Sequence, residues 1–288
     1  MQQINETTSA VMLPTSRERV ETSTGSIYFI GTATMLIRYA GFTILTDPNF
    51  LHRDDHVHLG YGLTSKRLTE PTMTLSQLPP FDFVLLSHLH EDHFDRKVQA
   101  ELDKGTTIVT TPQAATGLRS MGFPMVEPLH TWETLTVKKG DYTLRITAMP
   151  ATHGPGTLAN MLPEVMGSML EFQNANNQTL VRIYISGDTL LFQGLEEIPV
   201  RYPDIDLGIF HLGGTRIMSV LLTMDARQGL DAVELINAKT SIPVHYNDYD
   251  VMKSPLEHFK ELVTLSGLED RRHYMSHGDT YTFNVGNR

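Results

Sequence analysis

The run Ser87-His88-Leu89-His90-Glu91-Asp92-His93 places three imidazoles and two carboxylates within seven residues. It follows Phe83-Val84-Leu85-Leu86, an apolar run that reads as a buried strand. Ordinary turns after strands use Gly, Pro, Asn, Asp and Ser for backbone reasons. Imidazole has no such advantage there, but it offers a neutral nitrogen donor to a divalent metal. His88 and His90 are two residues apart, so in extended chain they point the same way. Asp92 and His93 follow where the chain turns, so they can face a second position close by. One short loop can therefore supply ligands to two neighbouring metals. The bland alternative is a polar loop in a chain with 13 histidines among 288 residues. The His-x-His-x-Asp-His spacing directly after a strand weighs against it.

The elements that must hold this loop follow from the hydrophobic pattern. Residues 26–30, 35–39 and 43–46 read as three short strands, punctuated by Gly31 and Ala40-Gly41, so an antiparallel meander is expected. After the loop, residues 95–102 read as a helix, 107–110 as a β-branched strand, and 112–120 as a helix with Pro112 in its first turn. This alternation is typical of a mixed α/β layer. Residues 133–138 and 142–149 form one expected hairpin, and 167–173 with 179–186 a second. Strands at 206–210, 241–244 and 279–284 and helices at 225–237 and 255–265 complete the reading. In the first of these helices Ala226, Leu230, Val233 and Ile236 share a face. Trp132 reads as core or rim packing, and His277-Gly278 as a turn.

Residues 49–80 are long and irregular, which in a compact domain marks a functional or disordered segment. A lid is expected there, with Tyr61 and either His56 or His58 facing the pocket. The polar residues 1–25 read as a tail or docked arm, and 26–288 as a single domain.

Composition narrows the classes of function. The net charge of −10 disfavours a protein whose main task is gripping nucleic-acid phosphates. The chain contains no cysteine, which excludes disulfides, thiolate zinc sites and cysteine nucleophiles. No Gly-x-Ser-x-Gly elbow is present. The first residues lack an apolar core of the secretory type, and no apolar stretch reaches membrane-spanning length. The expectation is a cytoplasmic protein with a small-molecule substrate, no nucleic-acid partner and no stable membrane insertion. Homo-oligomerisation stays open.

Further His and Asp residues stand at expected strand ends. They are Asp47 before Pro48, His153 in a Gly/Pro loop, Asp188 in Ser186-Gly187-Asp188-Thr189, His211 before Leu212-Gly213-Gly214, and His245 in Pro243-Val244-His245-Tyr246. Singly, each has a plain reading as a turn residue or a packed histidine. Together with the first loop they resemble the metallo-β-lactamase superfamily, whose signature is His-x-His-x-Asp-His after a strand. The resemblance implies an α/β protein, a four-layer αββα sandwich of two mixed β-sheets flanked by helices.

It also implies a ligand set. His88, His90 and His153 would surround one metal, Asp92, His93 and His245 the other, and Asp188 would bridge them. Asp47 would orient a metal-bound histidine. All are nitrogen or oxygen donors, which suits zinc first, and also manganese or iron. The implied chemistry is attack by a metal-bridging hydroxide on a small ester or lactone. Asp92, Asp188 and His211 are the expected catalytic groups, and Tyr61, His56, His58 and Tyr246 the expected substrate contacts. The proton donor to the leaving group stays open among a metal-bound water, His211 and Tyr61. The flanks, including Leu45-Thr46-Asp47-Pro48 and Met224-Asp225-Ala226, look like the branch holding the ascorbate-6-phosphate lactonase and the phospholipase D that releases N-acylethanolamines. The alternatives are a phosphodiesterase or phospholipase D-like hydrolase, a non-catalytic metal-dependent binding protein, and an oxidoreductase or oxygenase using iron. His90, where a Glu would stand, argues against the flavodiiron branch.

Overall fold

The computed structural model describes residues 10–14, 20–59, 62, 64–217 and 219–285. The first half of the chain forms β1 (Ala10–Met12), β2 (Thr24–Gly31), β3 (Thr34–Tyr39), β4 (Phe42–Thr46), β5 (His56–His58), β6 (Thr64–Lys66), β7 (Phe83–Leu85), α1 (Arg96–Glu101), β8 (Ile108–Thr110), α2 (Pro112–Ser120) and β9 (Val126–Pro128). The second half forms β10 (Thr134–Lys139), β11 (Tyr142–Met149), β12 (Gly167–Gln173), β13 (Thr179–Ile185), α3 (Glu197–Arg201), β14 (Leu207–His211), β15 (Arg216–Ile217), β16 (Val220–Leu221), α4 (Ala226–Ile236), β17 (Thr240–Val244), α5 (Leu256–Leu265) and β18 (Thr280–Asn284).

Two seven-stranded sheets result, ordered β18-β2-β3-β4-β7-β8-β9 and β1-β10-β11-β12-β13-β14-β17. Apart from the edge strand β1, parallel to β10, each begins as an antiparallel meander and ends in parallel strands. Parallel neighbours need crossovers, and α1, α2, α3 and α4 lie in those connections.

Strand alternation explains the layering. In β3, Met35 and Ile37 enter the large core between the sheets, while Leu36 enters a second core. In β7, Phe83 and Leu85 join the first and Val84 the second. Successive side chains point to opposite faces, so a strand such as β7, apolar throughout, must be covered on both. Val98 of α1 and Ala115 and Leu118 of α2 supply the cover for this sheet. On α4, Ala226, Leu230, Val233 and Ile236 are all buried, as their spacing predicts. The α/β sandwich expected from the resemblance is therefore the observed fold.

Helix ends follow local chemistry. The Asp95 side chain accepts from the amides of Lys97 and Val98 to start α1, and Thr111 accepts from Ala114 with Pro112 next in α2. Asp225 caps α4, which stops at Asn237 in the left-handed region.

Several elements differ from the expectation. The 49–80 segment contains the β5–β6 hairpin and is pinned through Phe50, Leu51 and fully buried Arg67. Ala10–Met12 adds a parallel edge strand beside β10. Strands β9, β15 and β16 and helix α3 were too short for a periodic signal to show. Trp132 packs at the core rim under the Arg201 guanidinium, 4.0 Å from its ring centre. Among the described residues, no helix is long and apolar enough to cross a membrane.

Candidate metal centre

Strands β4, β7, β11, β13, β14 and β17 each deliver a His or Asp at or shortly after their last residue: Asp47, His88, His153, Asp188, His211 and His245. The first two strands belong to one sheet and the other four to the second, so the site lies where both sheets end. Backbone there is bent away from ordinary strand geometry. Asp47 and His245 have φ of +34° and +61°, sparsely populated for residues with a Cβ. Glycine is required at two of the turns. A Cβ on Gly187, at φ +62°, would stand 2.5 Å from the Met166 carbonyl oxygen, and one on Gly213 2.5 Å from that of His245.

Two donor groups converge. His88, His90 and His153 form one, Asp92, His93, Asp188 and His245 the other, with donor atoms within 4.8 Å of each other inside each group. His88 Nε2 and His90 Nδ1 are 3.0 Å apart. His245 Nε2 lies 3.3 Å from Asp92 Oδ2, and His93 Nε2 3.5 Å from Asp188 Oδ1. All but His90 are buried. A third group, Asp47, His93 and His211, overlaps the second through His93.

The imidazoles are oriented from behind. His153 Nδ1 donates to the Leu222 carbonyl at 3.1 Å, and His245 Nδ1 to the Leu212 carbonyl at 3.1 Å. A carbonyl can only accept, so each bond fixes a proton on Nδ1 and turns Nε2 toward the other donors. His88 Nδ1 meets Ser87 Oγ at 3.0 Å. Behind His93, Asp47 Oδ2 lies 3.5 Å from Nδ1, while Asp47 Oδ1 accepts from the Ser87 amide at 2.7 Å. Outward bonds of this kind are what orient metal-binding histidines.

Electrostatics favour the same use. Burial pushes His88 well below the ordinary imidazole range, and His93 and His90 add to this. Burial, with His153 beside it, holds His90 at about 4. Burial also lowers His153. These three are neutral donors at pH 7. Burial alone would raise Asp188, but His245 and His93 outweigh it and hold the carboxylate well below its usual range. For His93 burial is overcome by Asp188, Asp92 and Asp47, which raise it well above 6.5. The carboxylates thus favour positive charge at this point. His93 Nε2 and Asp92 Oδ1 are buried without a hydrogen bond, a costly state that a divalent cation relieves. The residues present therefore fit a metal.

The other expected site residues fall in different places. His58 lines a groove beside His90, whereas His56 is exposed and does not border that groove. Tyr61 lies outside the described residues. Tyr246 is 6% exposed, packs edge-on to Phe29 and donates to the Met275 carbonyl at 2.7 Å. It is a core residue and has no face toward a substrate, a correction that follows from its turning inward after His245. His211 is also fully buried, with Nδ1 3.1 Å from Asp188 Oδ1. Its Nε2 is buried without a hydrogen bond and belongs to the third donor group with Asp47 and His93.

Some positioning groups had no signal in the sequence. Thr223 Oγ1 donates to Asp188 Oδ2 at 2.9 Å, and Asn49 Nδ2 to the Glu91 carbonyl at 2.9 Å. Thr223 directly precedes the Met224-Asp225 helix start, so only its neighbourhood was indicated.

Comparison with known proteins agrees with this geometry. A model described as the beta-lactamase superfamily domain matches residues 43–246. A UPF0173 metal-dependent hydrolase of Nanoarchaeum equitans is 26% identical over 195 residues, covering 68% of this chain and 83% of that protein. The mitochondrial N-acyl-phosphatidylethanolamine-hydrolyzing phospholipase D of Saccharomyces cerevisiae is 33% identical over 148 residues, 50% of this chain and 31% of that protein. Among solved structures, isothiocyanate hydrolase from Delia radicum gut bacteria superposes with a TM-score of 0.76 at 21% identity, covering 90% of this chain and 100% of that one.

Proposed function

We propose that this chain, which belongs to the β-lactamase superfamily of metal-dependent hydrolases, uses two divalent metal ions to open a small ester or lactone. His88, His90 and His153 would hold one ion, Asp92, His93 and His245 the other, with Asp188 between them. The observation that carries this reading is the pair of adjacent donor groups, His88/His90/His153 and Asp92/His93/Asp188/His245, on one rim of the sandwich. Zinc suits the donors best, and manganese and iron are compatible.

Ions held there would polarise the electrophile and lower the pKa of a water from about 15.7 to about 7. The protein's own groups then divide the remaining work. The carbonyls of Leu222 and Leu212 keep His153 and His245 in the donor tautomer. Thr223 and His211 hold the two oxygens of Asp188 in place. Asp92 Oδ1, buried without a hydrogen bond, would orient a water or take its proton. His211 would act through Asp188, whose Oδ1 lies 3.1 Å from its Nδ1.

The test is metal content of protein purified without added metal, with turnover of a lactone and of bis(p-nitrophenyl) phosphate. About two ions per chain and lactone hydrolysis lost on chelation support the proposal. Hydrolysis of the phosphodiester alone would move the function toward the activity named for the yeast relative. Well under one ion per chain, with no gain on adding zinc or manganese, would overturn the proposal.

A further inference from the structure

A groove of about 640 Å³ opens beside His90 and Glu91. Its walls are Leu59, Leu89, Phe94, Met121, Met161 and Leu162. His90, one of the candidate ligands, lines the groove itself, so the groove borders the candidate metal centre. Met121 and Met161 are 37% and 59% exposed and come from different segments. Isolated exposed apolar residues are ordinary, but a concave apolar surface touching a reactive centre marks ligand contact. Flexible thioethers suit a partner of variable shape.

Three polar side chains of the lining are engaged with the protein through one atom each. Glu91 Oε2 accepts from the His58 amide at 2.6 Å. Gln99 Nε2 donates to the Phe94 carbonyl at 3.1 Å, and Gln113 Oε1 accepts from the Glu164 amide at 2.6 Å. Leu59, Leu89, Phe94, Met121, Met161 and Leu162 offer a ligand hydrocarbon, beside the imidazoles of His58 and His90. Among the described residues lining the groove there is no Lys or Arg. The same holds for the smaller opening beside His153, which shares Pro163 with the groove and adds Glu164. A phosphate on the substrate would meet carboxylates there and no guanidinium or ammonium partner.

Resting on the hydrolase reading above, we infer that the groove beside His90 binds an uncharged hydrocarbon substituent of the substrate. The enzyme thereby selects neutral esters or lactones carrying an alkyl or aryl group over phosphorylated ones.

The test measures binding apart from turnover. Butanamide, hexanamide, octanamide and decanamide are titrated onto the metal-loaded full chain by ligand-observed NMR, alongside an octanamide carrying a terminal phosphate. Burial of each methylene should tighten binding by about two- to fourfold, and the terminal phosphate should weaken it by about tenfold or more. In a Met121→Lys/Met161→Lys variant the chain-length slope should flatten and the phosphate penalty disappear. General destabilisation would weaken all ligands alike and keep the slope. A flat series in the unmodified enzyme, or equal affinity for the phosphorylated chain, overturns the inference. Turnover of short and long lactones is measured in parallel. Hydrolysis with a flat binding series leaves the hydrolase reading standing and removes the groove. A steep series with no hydrolysis does the reverse.

Discussion

Thr223 Oγ1 donates to Asp188 Oδ2 at 2.9 Å, and the other oxygen of that carboxylate faces His211 Nδ1 at 3.1 Å. Asp188 is thus clamped from two sides by groups that are themselves fully buried. Groups that orient a ligand from behind typically matter by about 10–100-fold in metal affinity or activity. Thr223→Val keeps the shape and removes the hydroxyl, so metal retention against a competing chelator should weaken within that range. Unchanged retention would show that His211 alone positions the carboxylate.

Asp188→Ala should abolish turnover and lower bound metal by about one ion per chain. The far-ultraviolet circular dichroism should stay that of the parent, because Asp188 stands in a turn after β13 and not within the sheet. Retained activity would exclude a bridging role.

Metal loading should stabilise the folded chain, since the donors converge only when both sheets are formed. A ligand at about 100 times its Kd contributes about 2.7 kcal/mol. Melting after dialysis against a chelator should therefore fall by about 5 °C or more and recover with zinc. An identical melting curve in both states would argue against tight binding.

Asp95 links the start of α1 to the segment that leads into the β5–β6 hairpin. Its carboxylate accepts from the amides of Lys97, Val98, Phe50 and Leu51. Asp95→Ala removes a cap and leaves two buried loop amides unmatched, for a loss of about 2–4 kcal/mol. Urea unfolding should show it, and a loss under about 0.5 kcal/mol would mean the loop amides find other partners.

Acid sensitivity should arise in part at Asp248. Burial alone would raise this carboxyl, but His277, Thr69 and Arg67 outweigh burial and lower it. A group depressed in the folded state contributes stability above its unfolded pKa of about 3.9. That contribution is lost as pH falls through the lower folded value. Stability of the parent should therefore decline below about pH 4, and Asp248→Asn should be weaker at pH 7 with a shallower acid decline. Parallel curves for the two proteins would remove Asp248 as a source.

Much of the donor cluster was legible because its residues combine unusual types with strand-end positions. Apolar runs such as Phe83-Val84-Leu85-Leu86 declare a buried strand, and imidazoles directly after one have no conformational reason to be there. The amphipathic spacing of Ala226, Leu230, Val233 and Ile236 likewise determined α4 and its inward face. These are local properties, set by neighbours along the chain.

What only the tertiary structure decided depends on neighbours across space. Tyr246 follows a candidate ligand directly yet turns into the core to reach the Met275 carbonyl, a partner 29 residues away. The Leu222 carbonyl that orients His153 lies 69 residues downstream of it, and backbone carbonyls carry no side-chain signature. His211 reads the same whether it faces a substrate or stands behind Asp188. Only the packing of β14 between β13 and β17 brings its Nδ1 to 3.1 Å from Asp188 Oδ1. Sequence alone determined which residues could donate to a metal, through side-chain chemistry and strand periodicity. The meeting of the two sheets decided which atoms face the centre and which hold it from outside, because hydrogen-bond partners are set by distance in the folded chain.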